Sequence, residues 1–237
     1  MKAMILAAGR GERMRPLTDT CPKPLLKVRG RPLIVWHILN LVRAGITEIV
    51  INHAHLGHLI EEELGDGAKY GASIRYSAEA VALETAGGIA NALHLLGDEP
   101  FLVLSGDIYC PYFDFEQVKD VLHDKDVLGN AYTIGQRDAC WLYLTPNPWH
   151  NLKGDFALSM FSVANEGEQK WNFSNIGVYR AEMFKAITPG QRAGLGLLIR
   201  EYAAKGLVGG ELYEGPWVNV GTVQQLDELN APLSGKP

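Results

Sequence analysis

The sequence predicts an α/β fold built on a mostly parallel central sheet, and three observations carry that prediction. Short apolar runs alternate with segments of helical period, the pattern of repeated β-α-β units. A glycine-rich loop directly follows the first apolar run, as at the carboxyl end of a first parallel strand. The composition is that of a folded chain, with 47% hydrophobic and 21% charged residues among 237 and a net charge of −5. It excludes disorder, collagen and coiled coil, and no apolar run reaches the ~18–20 residues of a membrane span. The N-terminal stretch has one basic residue and an apolar run too short for a secretory signal. Mild acidity argues against a nucleic-acid partner. Cys21, Cys110 and Cys140 show no paired spacing, which argues for a reducing cytoplasm and against structural zinc.

The elements follow in order. Residues 2–8 read as a buried strand. Pro32 opens a helix in which Leu33, Ile34, Ile38, Leu41 and Val42 share a face, and Gly45 closes it where a left-handed residue is wanted. Residues 48–52, 73–77 and 101–105 read as strands, with helices at 56–64 and from about 88 to 96. Residues 115–123 look helical and 127–134 strand-like. Residues 138–153 hold Trp141, Trp149, Pro146-Asn147-Pro148 and His150 and read as a functional or lid-like loop. A hairpin is expected from 156–164 and 172–179 around the polar 165–168. A helix at 195–205, a strand at 207–213 and a helix at 223–230 complete the chain. No repeat, linker or charge block divides it, so 1–237 is expected to be one domain.

The chemistry concentrates in Leu6-Ala7-Ala8-Gly9-Arg10-Gly11-Glu12-Arg13-Met14-Arg15-Pro16-Leu17-Thr18 and the following Pro22-Lys23-Pro24-Leu25. Glycines there let backbone N–H groups approach phosphate oxygens, while Arg13 and Lys23 supply neutralising charge. A Walker A loop needs Gly-x-x-x-x-Gly-Lys-Ser/Thr, which is absent. A dinucleotide fingerprint fails at Met14, where a third glycine belongs. A basic surface turn is the plain alternative, and the ordered Pro-Lys-Pro segment weighs against it.

These two segments resemble the signature of the sugar-1-phosphate nucleotidyltransferases, Leu-Ala-Ala-Gly-x-Gly-x-Arg followed by Pro-Lys-Pro-Leu. The resemblance continues through 30–34, 44–46, Leu83-Glu84-Thr85-Ala86-Gly87-Gly88, Ser105-Gly106-Asp107 and Trp217-Val218-Asn219-Val220-Gly221-Thr222. Within the family it is greatest to the short uridylyltransferases of cell-wall recycling that act on N-acetylmuramate 1-phosphate, through 51–54, 73–77, Gly154-Asp155-Phe156 and Phe173-Ser174 before Ile176. The resemblance implies a Rossmann-like three-layer αβα sandwich with a mostly parallel central sheet. It implies a mainly nucleotide-binding half at 1–110 and a mainly sugar-binding half at 111–237. The implied reaction takes UTP and a sugar 1-phosphate as partners, with no nucleic acid, membrane or obligatory protein partner. It releases pyrophosphate by attack of a phosphate oxygen that is already anionic, so no dedicated base is needed and catalysis rests on positioning and charge.

By the same resemblance, Gly9, Gly11 and Glu12 surround the triphosphate, Arg13 meets its outer phosphates and Lys23 sits beside the α-phosphate. A solvated surface lysine is the alternative for Lys23, disfavoured by the prolines that flank it. Asp107 follows an apolar strand and Gly106, a place suited to Mg²⁺, although a helix-capping aspartate would look the same. The family's second metal ligand is an aspartate where this chain has Asn219; an amide oxygen can still ligate, with one negative charge fewer. Gly87 and Gly88 are expected to let the backbone approach the pyrimidine, or else to form only a helix-start turn. Ser105 stands where the uridylyltransferases often have Asn. Asp155 is implied to contact the sugar, with Asn175 as a further partner, and Lys153 and Arg137 are candidates for the lactyl carboxylate. His53, His55 and His58 read as structural histidines rather than a metal cluster. Trp36 reads as core, Trp141 and Trp149 as candidates for the sugar pocket.

Rival readings are guanylyl transfer to mannose 1-phosphate, thymidylyl transfer to glucose 1-phosphate, and a nucleotide-binding sensor motivated by Asn219. A glycosyltransferase would want Asp-x-Asp, and 107–109 reads Asp-Ile-Tyr. Since the sequence closes shortly after Val220-Gly221-Thr222, it is expected to be the nucleotidyltransferase core alone.

Overall fold

A computed structural model of the chain describes residues 1–119, 121 and 138–232. Its strands are β1 (Ala3–Leu6), β2 (Lys27–Val28), β3 (Arg31–Pro32), β4 (Glu48–His53), β5 (Ser73–Ala78), β6 (Phe101–Ser105), β7 (Ile108–Tyr109), β8 (Cys140–Thr145), β9 (Phe156–Ser159), β10 (Ser162–Ala164), β11 (Lys170–Tyr179), β12 (Val208–Leu212) and β13 (Val218–Asn219). Its α-helices are α1 (Leu33–Arg43), α2 (Gly57–Leu64), α3 (Glu84–Leu96), α4 (Leu195–Ala204) and α5 (Val223–Asn230).

Nine strands form one sheet in the order β5-β4-β1-β6-β11-β8-β12-β10-β9. The first four are mutually parallel, β11 runs antiparallel to β6 and β8, and β12 lies parallel to β8. Alternate residues of β1 feed two cores. Ala3 and Ile5 pack with Ile34, Ile38 and Leu41 of α1 and with Ile60 and Leu64 of α2. Met4 packs with Ile89 and Ala92 of α3 and Ile199 of α4. A strand covered on both faces must be apolar throughout, which is why β1 and β6 read as unbroken apolar runs.

Helix α1 ends as its sequence predicts. Gly45 has φ +76°, its N–H reaches Val42 O at 2.9 Å, and the Ile46 N–H reaches Leu41 O at 2.9 Å. Helix α5 begins with a reciprocal cap, in which Gln225 N–H donates to Thr222 Oγ1 at 3.2 Å and Thr222 N–H donates to Gln225 Oε1 at 3.1 Å.

Three expectations are corrected. The first half of 138–153 is not a loop: β8 lies between β11 and β12 with all its residues buried, and Trp141 belongs to the core. The hairpin turns at Met160-Phe161 instead of 165–168, so β9 pairs with β10 and also with β11. Helix α3 starts at Glu84, a turn before 88, because packing against 191–195 stabilises its first turn. At 115–123 the described residues form a 3-10 turn at Gln117–Lys119 and no α-helix; 120, 122–123, the strand expected at 127–134 and Arg137 lie outside the described residues.

Candidate active site

The chain runs outward from β1 through β4 to β5 and then returns to the other side of β1 as β6. Such a reversal opens a crevice beyond the carboxyl ends of the strands, where open α/β sheets bind ligands. Here it is a cavity of about 210 Å³ lined by Ala7, Ala8 and Gly9 after β1, Asn52 of β4, and Ser105 and Asp107 at the end of β6, with Lys23, Glu84 and Thr85 also contributing.

The loop beyond Gly9 and two of the lining groups, Lys23 and Asp107, are held by identifiable contacts. Gly11 has φ +70°, and a Cβ there would meet Thr18 Cγ2 at 2.9 Å, so glycine is required on both counts. Buried Thr18 donates its hydroxyl to Gly11 O at 2.9 Å and fastens the loop on itself. Lys23 sits in a 3-10 turn between two prolines and is 7% exposed; its Nζ donates to Asp107 Oδ2 at 2.5 Å. Sequence-distant residues thus form an ion pair at the mouth of the crevice.

Asp107 is positioned from two sides. The ribbon of β7 and β13 sets Asn219 opposite Ile108, and the Val220 N–H donates to Asp107 O at 2.9 Å. Beneath it, the buried His37 ring bonds Ile108 O through Nε2 at 2.9 Å. Burial pushes His37 down to about 4, against the opposing pull of the Ile108 carbonyl and Asp107. The ring is therefore neutral at neutral pH, and Nε2 carries the proton because a carbonyl can only accept. Asn219 Oδ1 is buried without a hydrogen-bond partner. An unpartnered amide oxygen on the strand paired to the residue after Asp107 fits a cation site completed by substrate phosphates, the usual habit of Mg²⁺. No group of three His, Cys, Asp or Glu forms a metal cage among the described residues.

A second cavity of about 400 Å³ shares Thr85 with the first and is lined by Arg13, Asp155, Asn172, Asn175, Trp217 and Asn219, together with residues of α4. Asp155 accepts the Phe173 N–H at 2.8 Å through Oδ2 and Asn151 Nδ2 at 3.1 Å through Oδ1. Asn175 has φ +61° at an irregularity in β11, where the register to β8 shifts between Phe173 and Ile176. A bulge of this kind turns a side chain out of the pleat, and here it turns Asn175 toward the cavity. Trp217 donates Nε1 to Ser174 O at 2.8 Å and so closes on the same irregularity.

Other expected residues stand differently. Glu12 is exposed and pairs with Arg10 at 2.9 Å. Arg13 is exposed and passes Gly221, where a Cβ would come within 3.2 Å of its guanidinium. Gly87 and Gly88 are buried inside α3 and do not line the first cavity; Ala82, Glu84 and Thr85 do. A Cβ at Gly87 would meet Gln191 O at 2.3 Å, and one at Gly88 would meet Asn52 Nδ2 at 2.6 Å, so packing demands both glycines. That packing protects a buried network in which Asn52 accepts the Ala7 N–H at 3.0 Å and donates to Glu79 at 2.7 Å. Asn52, Glu79, Asn172 and Arg200 escaped sequence reading, since no local pattern marks them. Lys153 lines neither cavity, and Trp149 is 77% exposed while its neighbour His150 lines the second. His53 bonds Glu61 at 2.6 Å and His55 bonds Thr18 O at 3.3 Å, as structural histidines do.

A crevice at the sheet reversal, a lysine–aspartate pair at its mouth and an adjoining polar cavity define a nucleotide-handling α/β protein. The model of the nucleotidyl transferase family matches residues 2–139, and the chain belongs to that family. It is 49% identical over 235 residues to the N-acetylmuramate alpha-1-phosphate uridylyltransferase of Neisseria meningitidis serogroup B, covering 98% of this chain and 97% of that protein. The mannose-1-phosphate guanyltransferase of Hypocrea jecorina is 43% identical over 137 residues, 56% of this chain and 36% of its own length. Among solved structures, a Bacillus anthracis protein described as a glucose-1-phosphate thymidylyltransferase superposes with a TM-score of 0.81 at 22% identity, covering 97% of this chain and 94% of its own. A UDP-glucose pyrophosphorylase in complex with UDP-glucose gives 0.75 at 15% identity, over 97% and 96%. These two likenesses concern the fold. No helix among the described residues is long and apolar enough to cross a membrane.

Proposed function

We propose that this chain transfers UMP from UTP to N-acetylmuramate α-1-phosphate, giving the UDP-sugar and pyrophosphate. The observation that carries the proposal is the buried Lys23 Nζ at 2.5 Å from Asp107, in the crevice that Ala7, Ala8 and Gly9 of the glycine-rich loop also line. The 49% identity over nearly the whole chain supports the choice of base and sugar. In this reading the molecule is one three-layer αβα domain with a mostly parallel sheet. Residues 1–110 mainly bind the nucleotide and 111–237 mainly bind the sugar. The free Cys21, Cys110 and Cys140 suit a cytoplasmic enzyme.

The backbone around Gly9 and Gly11 cradles the triphosphate, and Arg13 reaches its outer phosphates. Lys23 leaves Asp107 for the α-phosphate, where negative charge grows during attack. Asp107 and Asn219 would hold Mg²⁺, which would supply charge neutralisation across the phosphates. Ser105 and Thr85 line the path of the nucleoside, while Asp155 and Asn175 orient the sugar so that its phosphate oxygen stands in line.

A pyrophosphate-release panel tests this, pairing UTP, GTP, dTTP and CTP with the 1-phosphates of N-acetylmuramate, N-acetylglucosamine, glucose and mannose in the presence of Mg²⁺. The UTP and N-acetylmuramate pair is expected to give the highest kcat/KM. Turnover confined to GTP and mannose 1-phosphate would overturn the assignment. Nucleotide binding without turnover of any pair would make the chain a sensor.

A further inference from the structure

The second cavity contains a cation that no carboxylate pairs with among the described residues. Arg200 of α4 lines that cavity beside Asp155, Asn172 and Asn175. Its guanidinium carbon stands 4.8 Å from the centroid of the buried Phe156 ring, and its backbone carbonyl accepts Asn165 Nδ2 at 2.9 Å. Stacking on an aromatic face fixes the plane of the fork and leaves its N–H edge free to donate. Among the described residues no carboxylate forms an ion pair with Arg200. Glu166 senses it only as a weak charge and is bound to Lys170 at 2.7 Å. Asp155, which shares the cavity, has both oxygens engaged by Asn151 and Phe173.

We infer that Arg200 receives a carboxylate carried by the sugar, the lactyl group that N-acetylmuramate has and N-acetylglucosamine lacks. The inference rests on the reaction proposed above and names the residue that makes it selective. A neutral sugar would give this arginine nothing to pair with. The sugar's own phosphate belongs at the other end of the substrate, because it must reach the nucleotide beside Lys23 and Asp107, which line only the first cavity. Arginine matches a carboxylate through two parallel hydrogen bonds, which a lysine cannot reproduce.

The test is steady-state kinetics of native enzyme, Arg200→Met and Arg200→Lys with UTP and each of the two sugar 1-phosphates. The native enzyme is expected to prefer N-acetylmuramate. That preference, the ratio of the two kcat/KM values, should fall by about 10- to 100-fold in Arg200→Met, as for loss of a charged hydrogen bond. Arg200→Lys should keep an intermediate ratio, and it carries the test if the methionine variant fails to fold. A ratio unchanged in folded variants overturns the inference, even if both rates fall. Equal use of both sugars by the native enzyme overturns it too, while leaving uridylyl transfer standing. Use of neither sugar sinks the reaction proposal and this inference together.

Discussion

Asn219 combines two properties that seldom coincide: its side-chain oxygen is buried and unpartnered, and its backbone pairs with Ile108, the residue after Asp107. Leaving a buried acceptor unmade costs about 1–3 kcal/mol, a cost that a bound cation would offset. Asn219→Asp is therefore expected to retain turnover and to reach half-maximal rate at a lower Mg²⁺ concentration. A folded but inactive aspartate variant in a Mg²⁺ titration of initial rate would refute this. Lys23, Asp107 and Asn219 were legible because each stands in a contiguous motif. Arg200, Asn172 and Asn52 were not: β11 pairs with β8 across dozens of residues, and α4 reaches the second cavity only through the fold. Asn175 was named from resemblance alone, since nothing local announces that its strand breaks register there.

At the scale of elements, α1 supports the site through a single buried ring. His37 bonds β7, and β7 pairs with β13, so one neutral histidine links a core helix to the Asp107–Asn219 ribbon. Its pKa is about 4 in the folded chain against an ordinary 6.5. Between those values the unfolded chain binds more protons than the folded one, so stability falls as pH drops from about 6.5 toward 4. The slope from this group approaches at most about 1.4 kcal/mol per pH unit. Denaturant titrations across that range should show the loss, and His37→Gln should flatten it; an equally steep acid limb in the variant would assign the effect elsewhere. Strands β1, β4, β5 and β6 were legible as apolar runs closed by turn residues. Strand β8 was not, because its tryptophan and the Pro-Asn-Pro after it resemble a loop while all six residues face cores. The start of α3 was hidden by Gly87 and Gly88, which look like helix breakers and are instead required by Gln191 O and Asn52.

At the scale of the molecule, β11 joins the parallel strands β5-β4-β1-β6 to β8 and β12. Its residues pair with β6 on one side, Ile176 with Leu104 and Val178 with Leu102, and with β8 on the other. Such pairing resists opening, whereas the loops at 9–26 and 79–86 carry few cross-strand bonds. Hydrogen exchange is therefore expected to slow in those loops when Mg²⁺ and UTP are added, with β1, β6 and β11 unchanged. Slowing spread evenly over the sheet would contradict it. The parallel half was readable from periodicity, but the antiparallel insertion was not, since pairing partners far apart in sequence leave no local trace.

The pairing of Ile176–Tyr179 with β6 on one side and β8 on the other has a mechanical consequence. Under the proposed assignment of the two cavities, the paired strands β6, β11 and β8 span from one to the other, so the separation of nucleotide and sugar is set when the chain folds. The molecule then acts as a ruler of fixed span. An acceptor whose phosphate and far anionic end are spaced too closely or too widely is refused for its length, whatever its charge.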